Sequence, residues 1–323
     1  MLCIRLTVLA AAAMSAYAVT LRTDAMLAAD FRAFVIHYNK SYVHDNDEYE
    51  SRFATYRENV AKIDALNARK TGATFAVNKL ADHTVEEFKA SFVKYSRPAE
   101  RPYDYVDLTS VEAVDSIDWR AKGAVTPVKD QQVNKCGACY TFAATGAVEG
   151  AWAIKTGNLT ELSQSELLDC TGSFGNMGCH GGKTYYAYDY IKAKGICTEE
   201  AYPYVPEAED CRASALPKSG VNISAYKDVP QGDEAALQKT LALGVVSIAV
   251  YCDSWYMFYK SGVYNDTCSS DPGAQSPLGP STRSVAADPF ARAAHEPRGY
   301  EMRCCLADLS AIRALLMYGV LQL

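Results

Sequence analysis

The stretch Lys135-Cys136-Gly137-Ala138-Cys139-Tyr140-Thr141-Phe142 constrains this chain more than any other. Glycine and polar residues precede Cys139. The run from Phe142 to Ile154 that follows has no proline and is mostly small or apolar. Such a run predicts a helix buried on nearly all sides, with Gly157 as its stop. Cys139 then sits at or just before the first turn, where unpaired N–H groups and the positive end of the helix dipole point at its sulfur. That position lowers a thiol's pKa and favours the thiolate, the reactive form.

The segment resembles the nucleophile region of the papain-like cysteine peptidases, whose pattern is Gln-Gly-x-Cys-Gly-Ser-Cys-Trp-x-Phe. Here the chain reads Gln131-Gln132-Val133-Asn134-Lys135-Cys136-Gly137-Ala138-Cys139-Tyr140-Thr141-Phe142. Ala138 replaces a common Ser, Tyr140 replaces the usual Trp, and two extra residues separate the Gln from Cys136.

A chain of 323 residues has material for about two domains. The net charge of −6 and the pI near 5.5 imply no broad basic surface, so nucleic acid is not an expected partner. Residues 1–18 read as a secretory signal: Arg5, the apolar run Leu6 to Ala13, and the cleavage pattern Ala16-Tyr17-Ala18. No later apolar run reaches the ~20 residues of a membrane span. Eleven cysteines in a secretory chain suggest disulfides, and N-x-S/T sequons at Asn158, Asn222 and Asn265 fit the same route.

Asp30 to Asn67 is charged, amphipathic and nearly free of Gly and Pro, which predicts two helices with a break near Ser41 to Asp47. Glu48, Arg52, Tyr56, Asn59, Ile63 and Asn67 are spaced by three or four and share one helical face. Their identities resemble the E-R-F-N-I-N signature of cathepsin L-like propeptides. Ala76 to Asp82 resembles the G-x-N-x-F-x-D segment of the same propeptides, and Thr84 is the expected N-cap of a short helix after it. The resemblance implies an I29-type inhibitor domain over about 31–88, within a propeptide of 19–113 that blocks the substrate cleft until removed. Residues 95–113 read as an extended linker, with cleavage expected near Val114 in exposed backbone.

Further motifs follow in order. Leu162 to Cys170 resembles the family's L-S-E-Q-x-L-x-D-C helix, with Ser163 and Glu166 as a capping box. Gly178-Cys179-His180-Gly181-Gly182 resembles the G-C-x-G-G loop, whose glycines let a substrate backbone approach; the resemblance assigns Gly181 and Gly182 to substrate binding. Lys183 and Thr184 then suggest a polar wall to the specificity pocket. The resemblance also implies disulfides Cys136–Cys179 and Cys170–Cys211, each contributing roughly 2–4 kcal/mol, while Cys197 and Cys252 have no mates in the pattern. Val245 to Val250 is an expected buried strand.

After Pro272 the pattern stops. Residues 273–323 hold five arginines and no lysine, show no strand alternation, and lack the family's Asn-His-Ala/Gly-Val and Asn-Ser-Trp-Gly segments. They read as a non-family tail, from a retained intron, a shifted frame or an incorrect gene model, or else as the end of a real truncated paralogue. Residues 307–318 are a candidate helix. The expected fold is therefore α+β: a small helical prodomain, then a papain-like two-lobed domain over 114–272 with a helical half and an incomplete β-barrel half. The apolar face of Val245 to Val250 should be left exposed and the tail poorly packed.

The implied chemistry is peptide-bond hydrolysis through a thioester on Cys139. The oxyanion would sit between the Cys139 N–H and the Gln131 amide, with Gln132 possible because of the insertion. A histidine should act as base, but the family histidine and its orienting Asn are missing, and His295, two residues before a proline, is a poor substitute. Expected partners are protein and peptide substrates and the chain's own propeptide, acting on a monomer in a lysosome, vacuole or outside the cell, with no metal, cofactor or membrane. Two rival classes remain: Cys136-x-x-Cys139 as a thiol–disulfide site, and a non-catalytic chain whose prodomain serves as inhibitor or folding aid.

Overall fold

The structure is a computed structural model that describes residues 22–90, 102–131, 136–230, 233–250 and 254–262, together with the strands Ser281–Val285 and Val320–Gln322. The signal segment, Gln132, Cys252, Asn265, His295 and the candidate helix 307–318 lie outside the described residues. The chain divides into two compact units, 1–58 and 59–323.

The first unit holds helix α1 (Asp24–His37), a 3-10 turn at Ser41–His44, and the start of helix α2 (Asn46–Ala68). Thr23 caps α1 by accepting from the Met26 N–H. The break expected between two helices is thus present. Its core is aromatic: Phe31 is fully buried, with Phe34, Tyr42, Tyr49, Phe53 and Tyr56 around it at centroid distances of 5.0–6.4 Å.

In the second unit α2 continues, followed by strand β1 (Ala73–Phe75) and helix α3 (Val85–Ala90). The Glu48-to-Asn67 face of α2 works through two amides. Asn59 is fully buried and donates to the carbonyls of Ala81 and His83 at 2.9 and 2.8 Å. Asn67 donates to the Phe75 carbonyl and accepts from the Phe75 N–H, both at 2.9 Å, as a neighbouring strand would. Thr84 and Glu87 close a reciprocal capping box at the start of α3.

The helical half is built on α4 (Cys139–Thr156), α5 (Gln164–Cys170) and α6 (Thr184–Lys194). Helix α4 ends at Gly157, whose φ of 76° is left-handed and whose N–H bonds Ala153, as the sequence predicts. Ala144, Ala147 and Val148 of α4 are fully buried with Leu162, Leu167, Ala187 and Ile191. Ser163 caps α5 by accepting from the Glu166 N–H at 2.9 Å, but the expected box does not close. The Glu166 carboxylate instead accepts from Tyr190 Oη, the Cys197 N–H and Lys218 Nζ.

Strand β2 (Ala225–Lys227), helix α7 (Glu234–Leu243), strand β3 (Val246–Val250) and strand β4 (Tyr259–Gly262) follow. Gly150 lets β3 approach α4: a Cβ there would lie 2.4 Å from Val245 Cγ2. Ser247 Oγ donates to the Ala143 carbonyl at 2.7 Å and meets Tyr188 Oη at 2.6 Å. Strand β1 pairs antiparallel with β4, so the prodomain adds a strand to the later part of the chain.

Two expectations need correction. Strands β5 (Ser281–Val285) and β6 (Val320–Gln322) form in the segment read as lacking strands, pairing antiparallel with β3 and β2. Strand formation here follows the open edge of a partner more than the segment's own pattern. Likewise Val245, Val246 and Ile248 are at most 6% exposed, so they do not present an open apolar face. The described sheets are three two-stranded pairs and form no closed barrel.

Candidate active site

Cys139 is the first residue of α4, and Ala138 before it makes no side-chain capping bond. The positive end of the helix dipole lies at Cys139. Cys139 is buried and stays outside the disulfide framework. Thr141 fixes the entry turn, its N–H and hydroxyl both reaching the Ala138 carbonyl at 2.9 Å.

A disulfide joins Cys136 to Cys179, tying the approach to α4 to the glycine loop. The Gly137 N–H bonds the Cys179 carbonyl at 3.0 Å beside it. With Cys136 so engaged, the pairing that a C-x-x-C redox site needs is not formed. A second disulfide, Cys170–Cys211, anchors the end of α5. Cys197 is a buried thiol beside Glu166.

The loop is shaped by contacts that motif matching does not reveal. Gly181 has φ 109°, a conformation that favours glycine. Gly182 is confined by Asn176, whose Oδ1 accepts from the Lys183 N–H at 2.7 Å. Tyr140 is fully buried, and its hydroxyl donates to the Gly178 carbonyl at 3.4 Å. Burial pushes the Tyr140 hydroxyl well above its usual pKa, so it is a fixed donor. His180 in this loop is exposed. Lys183 is buried rather than lining an open wall, with Nζ 5.8 Å from the Tyr185 ring centroid, and burial lowers its pKa.

Gln131 lies just before the segment leading to Cys136. Its Nε2 donates to the Cys136 carbonyl at 3.4 Å, and its own carbonyl accepts from Tyr204 Oη at 2.8 Å. Tyr204 packs edge-on against Phe142 of α4. The preceding residue, Asp130, takes a 2.5 Å ion pair from Lys79 of the prodomain segment. Asn78 Nδ2 reaches the Met257 carbonyl at 2.7 Å. Asn176, Tyr204 and the Lys79–Asp130 pair were not singled out as site residues. Lys79 stands inside the Ala76–Asp82 segment that the sequence already marks, whereas Asn176 lies in no motif.

A thiol at a helix start, clamped by a disulfide to a glycine loop and preceded by a helical prodomain, defines the class of cysteine hydrolases made as zymogens. A family profile described as "Papain family cysteine protease" matches residues 113–276, and one described as "Cathepsin propeptide inhibitor domain (I29)" matches 31–88. A "Cathepsin L-like peptidase" of Aedes aegypti is 41% identical over 261 residues, 75% of this chain and 76% of that protein. Among solved structures, digestive procathepsin L 3 of the Tenebrio molitor larval midgut superposes with a TM-score of 0.68 at 34% identity, covering 76% of this chain and 81% of that one. A recombinant stem bromelain precursor gives 0.67 at 32% identity, covering 80% of each chain.

The chain belongs to the papain family of cysteine proteases. It has the α+β papain-like fold and a cysteine-protease zymogen's organisation, with an I29 propeptide ahead of the peptidase domain. Protein substrates and intramolecular inhibition by the propeptide follow from that pairing. Such proteases are typical of the secretory pathway, of vacuoles or of the extracellular space. No helix among the described residues is long and apolar enough to cross a membrane.

Proposed function

We propose that Cys139 is the nucleophile of an endopeptidase site acting through a thioester. Gln131 and the Cys139 N–H hold the oxyanion, and Gly181 and Gly182 bind the substrate backbone. The observation that carries this is the position of Cys139 at the start of α4, with Cys136 bridged to Cys179 of the glycine loop. Cys139 attacks the carbonyl, the C–N bond breaks to release the amine, and water resolves the thioester. A base must take the thiol proton and return it to the leaving amine. In this sequence the peptidase domain runs over 114–272 after a propeptide of 19–113, and 273–323 is a tail outside the family pattern.

That tail supplies neither the histidine nor the asparagine of the family pattern, and we infer that the chain as written is at most a feeble peptidase. Losing the base and acid forfeits ~10²–10⁴-fold. A chain of this kind would act through its prodomain, as an inhibitor or folding aid; the pairing of β1 with β4 supports a prodomain that holds the later segment in place. The molecule is read as a monomer of a lysosome, vacuole or the extracellular space.

The test grafts the C-terminal segment of an intact relative in place of 273–323, removes the propeptide, and follows peptide hydrolysis and alkylation. The graft should gain turnover, and Cys139→Ala in it should lose both turnover and active-site labelling. Turnover retained by Cys139→Ala would sink the assignment. Turnover by the original chain equal to the graft's would show that His180 or His295 serves as base.

A further inference from the structure

Besides Asn158, Asn222 and Asn265, the sequence carries a fourth N-x-S/T triplet, Asn39-Lys40-Ser41. Three of the four lie among the described residues, and each of those three asparagines is exposed. Such a triplet marks an acceptor for N-linked oligosaccharide, a bulky and solubilising group that a surface position accommodates. Exposure alone is ordinary for asparagine. What the structure adds is the state of each side-chain amide.

Asn158 follows the left-handed Gly157 that ends α4. Its N–H bonds Thr156 Oγ1 at 3.2 Å, and that hydroxyl donates to the Trp152 carbonyl at 2.7 Å. The backbone is held in a fixed turn in which the side-chain amide takes no part. Asn222 stands between Val221 and Ile223, each 2% exposed, so the alternation of burial sends its side chain outward. Its Oδ1 accepts from the Ile223 N–H at 2.8 Å, which leaves Nδ2 unused. In the prodomain, Asn39 follows α1 with φ 47°, and its N–H bonds the Ile36 carbonyl at 3.1 Å. Asparagine tolerates that left-handed backbone, so the turn needs its main chain and not its amide. Among the described residues no group bonds Nδ2 of Asn39, Asn158 or Asn222, and a sugar on any of them displaces no contact of the fold. The disulfides Cys136–Cys179 and Cys170–Cys211 add an independent indication, because such bonds persist in an oxidising lumen, the compartment where oligosaccharide is transferred.

We propose that Asn39, Asn158 and Asn222 each carry an N-linked oligosaccharide. The donor is an oligosaccharide on a polyprenyl pyrophosphate, brought by the host's transferase. A bond forms between Nδ2 and C1 of the first N-acetylglucosamine. The C1–O bond to pyrophosphate breaks, the polyprenyl pyrophosphate leaves, and Nδ2 gives up one proton. The Asn39 glycan departs with the propeptide of 19–113, whereas those on Asn158 and Asn222 stay on the peptidase domain. Helix α4 sets Asn158 apart from the nucleophile: its 18 residues span about 27 Å, with Cys139 at one end and Asn158 just past the other. This inference rests on the secretory placement of the chain, not on the activity of Cys139.

The full chain is expressed in insect cells in two forms, one with its own residues 1–18 and one with a host signal peptide in their place. Secreted protein with both disulfides intact is digested, treated with peptide N-glycosidase in heavy-oxygen water, and mapped by mass, so that each asparagine is read separately from Asn265. Asn39, Asn158 and Asn222 should each convert to aspartate carrying the heavy oxygen. The variants Ser41→Ala, Thr160→Ala and Ser224→Ala keep each asparagine and remove only its acceptor motif, and each should lower the intact mass by one glycan. An asparagine left unconverted in the secreted protein, or a variant whose mass does not fall, overturns the assignment of that site. Glycans found only on the form with the host signal would uphold the three sites and overturn the secretory reading of residues 1–18.

Discussion

A methyl group at position 182 would meet Asn176 Oδ1 at 2.3 Å and Tyr140 Cδ2 at 2.9 Å. Gly182→Ala should displace Asn176, break its bond to the Lys183 N–H, and cost about 1–3 kcal/mol, read as a lowered Tm. Glu166 is fully buried and gathers Tyr190, Cys197 and Lys218. Glu166→Leu should cost up to about 3–5 kcal/mol by stranding the Lys218 ammonium, less because that ammonium is partly exposed, while Glu166→Gln should be milder. Burial first, and Glu166 second, push the Cys197 thiol up to about 12. Cys197 should therefore resist iodoacetamide at pH 8 in the folded protein, and rapid labelling there would contradict the arrangement. Gly182 and Glu166 were visible as motif members. Their partners were not, because Asn176 is fixed by loop geometry and Lys218 stands 52 positions from Glu166.

At the scale of elements, the regular spacing from Glu48 to Asn67 marked one face of α2 and nothing more. The structure adds that Asn59 and Asn67 bond the backbone of 75–83, contacts that period and propensity cannot specify. Asn59→Ala leaves the buried Ala81 carbonyl and the half-buried His83 carbonyl without this donor. It should cost about 1–3 kcal/mol and weaken inhibition of an intact relative by the isolated propeptide, measured as a raised inhibition constant. Helix α4 was legible to its last residue because a small-residue run and a glycine in the left-handed region are local signals. Helix α5 was legible only in part: the Ser163 cap is local, but Glu166 found stronger partners at a distance and did not return to the cap. Strands β5 and β6 were illegible for the same reason, since their pairing is supplied by β3 and β2.

Across the whole molecule, buried carboxyls set the pH response. Burial raises the pKa of Glu149, with Lys129 and a hydrogen bond from Thr126 opposing, and it also raises those of Glu199 and Asp169. A carboxyl raised in the folded state adds stability below its unfolded pKa and loses it as pH climbs through the folded value. Asp118, lowered first by its bond from Arg120, works the other way, and more weakly because its side chain is about a third exposed. The Tm should thus rise as pH falls from 7 toward the unfolded carboxyl range near 4.5, and Glu149→Gln should flatten that slope in thermal melts at pH 5 and 7. The stretch 102–114 reads as linker in the sequence, and the contacts of Val106 and Leu108 with Val229, Leu237 and Ile248 are set by distant residues that local composition cannot show. The β1–β4 pair has a consequence for the protein after maturation. Once Ala73 to Phe75 depart, Tyr259 to Gly262 are a bare sheet edge beside Tyr256, Met257 and Phe258, which the prodomain helps bury. An uncovered edge with an aromatic flank is a template for self-association. The mature form should therefore have a lower concentration ceiling than its precursor, its light scattering climbing with protein concentration where the zymogen stays clear.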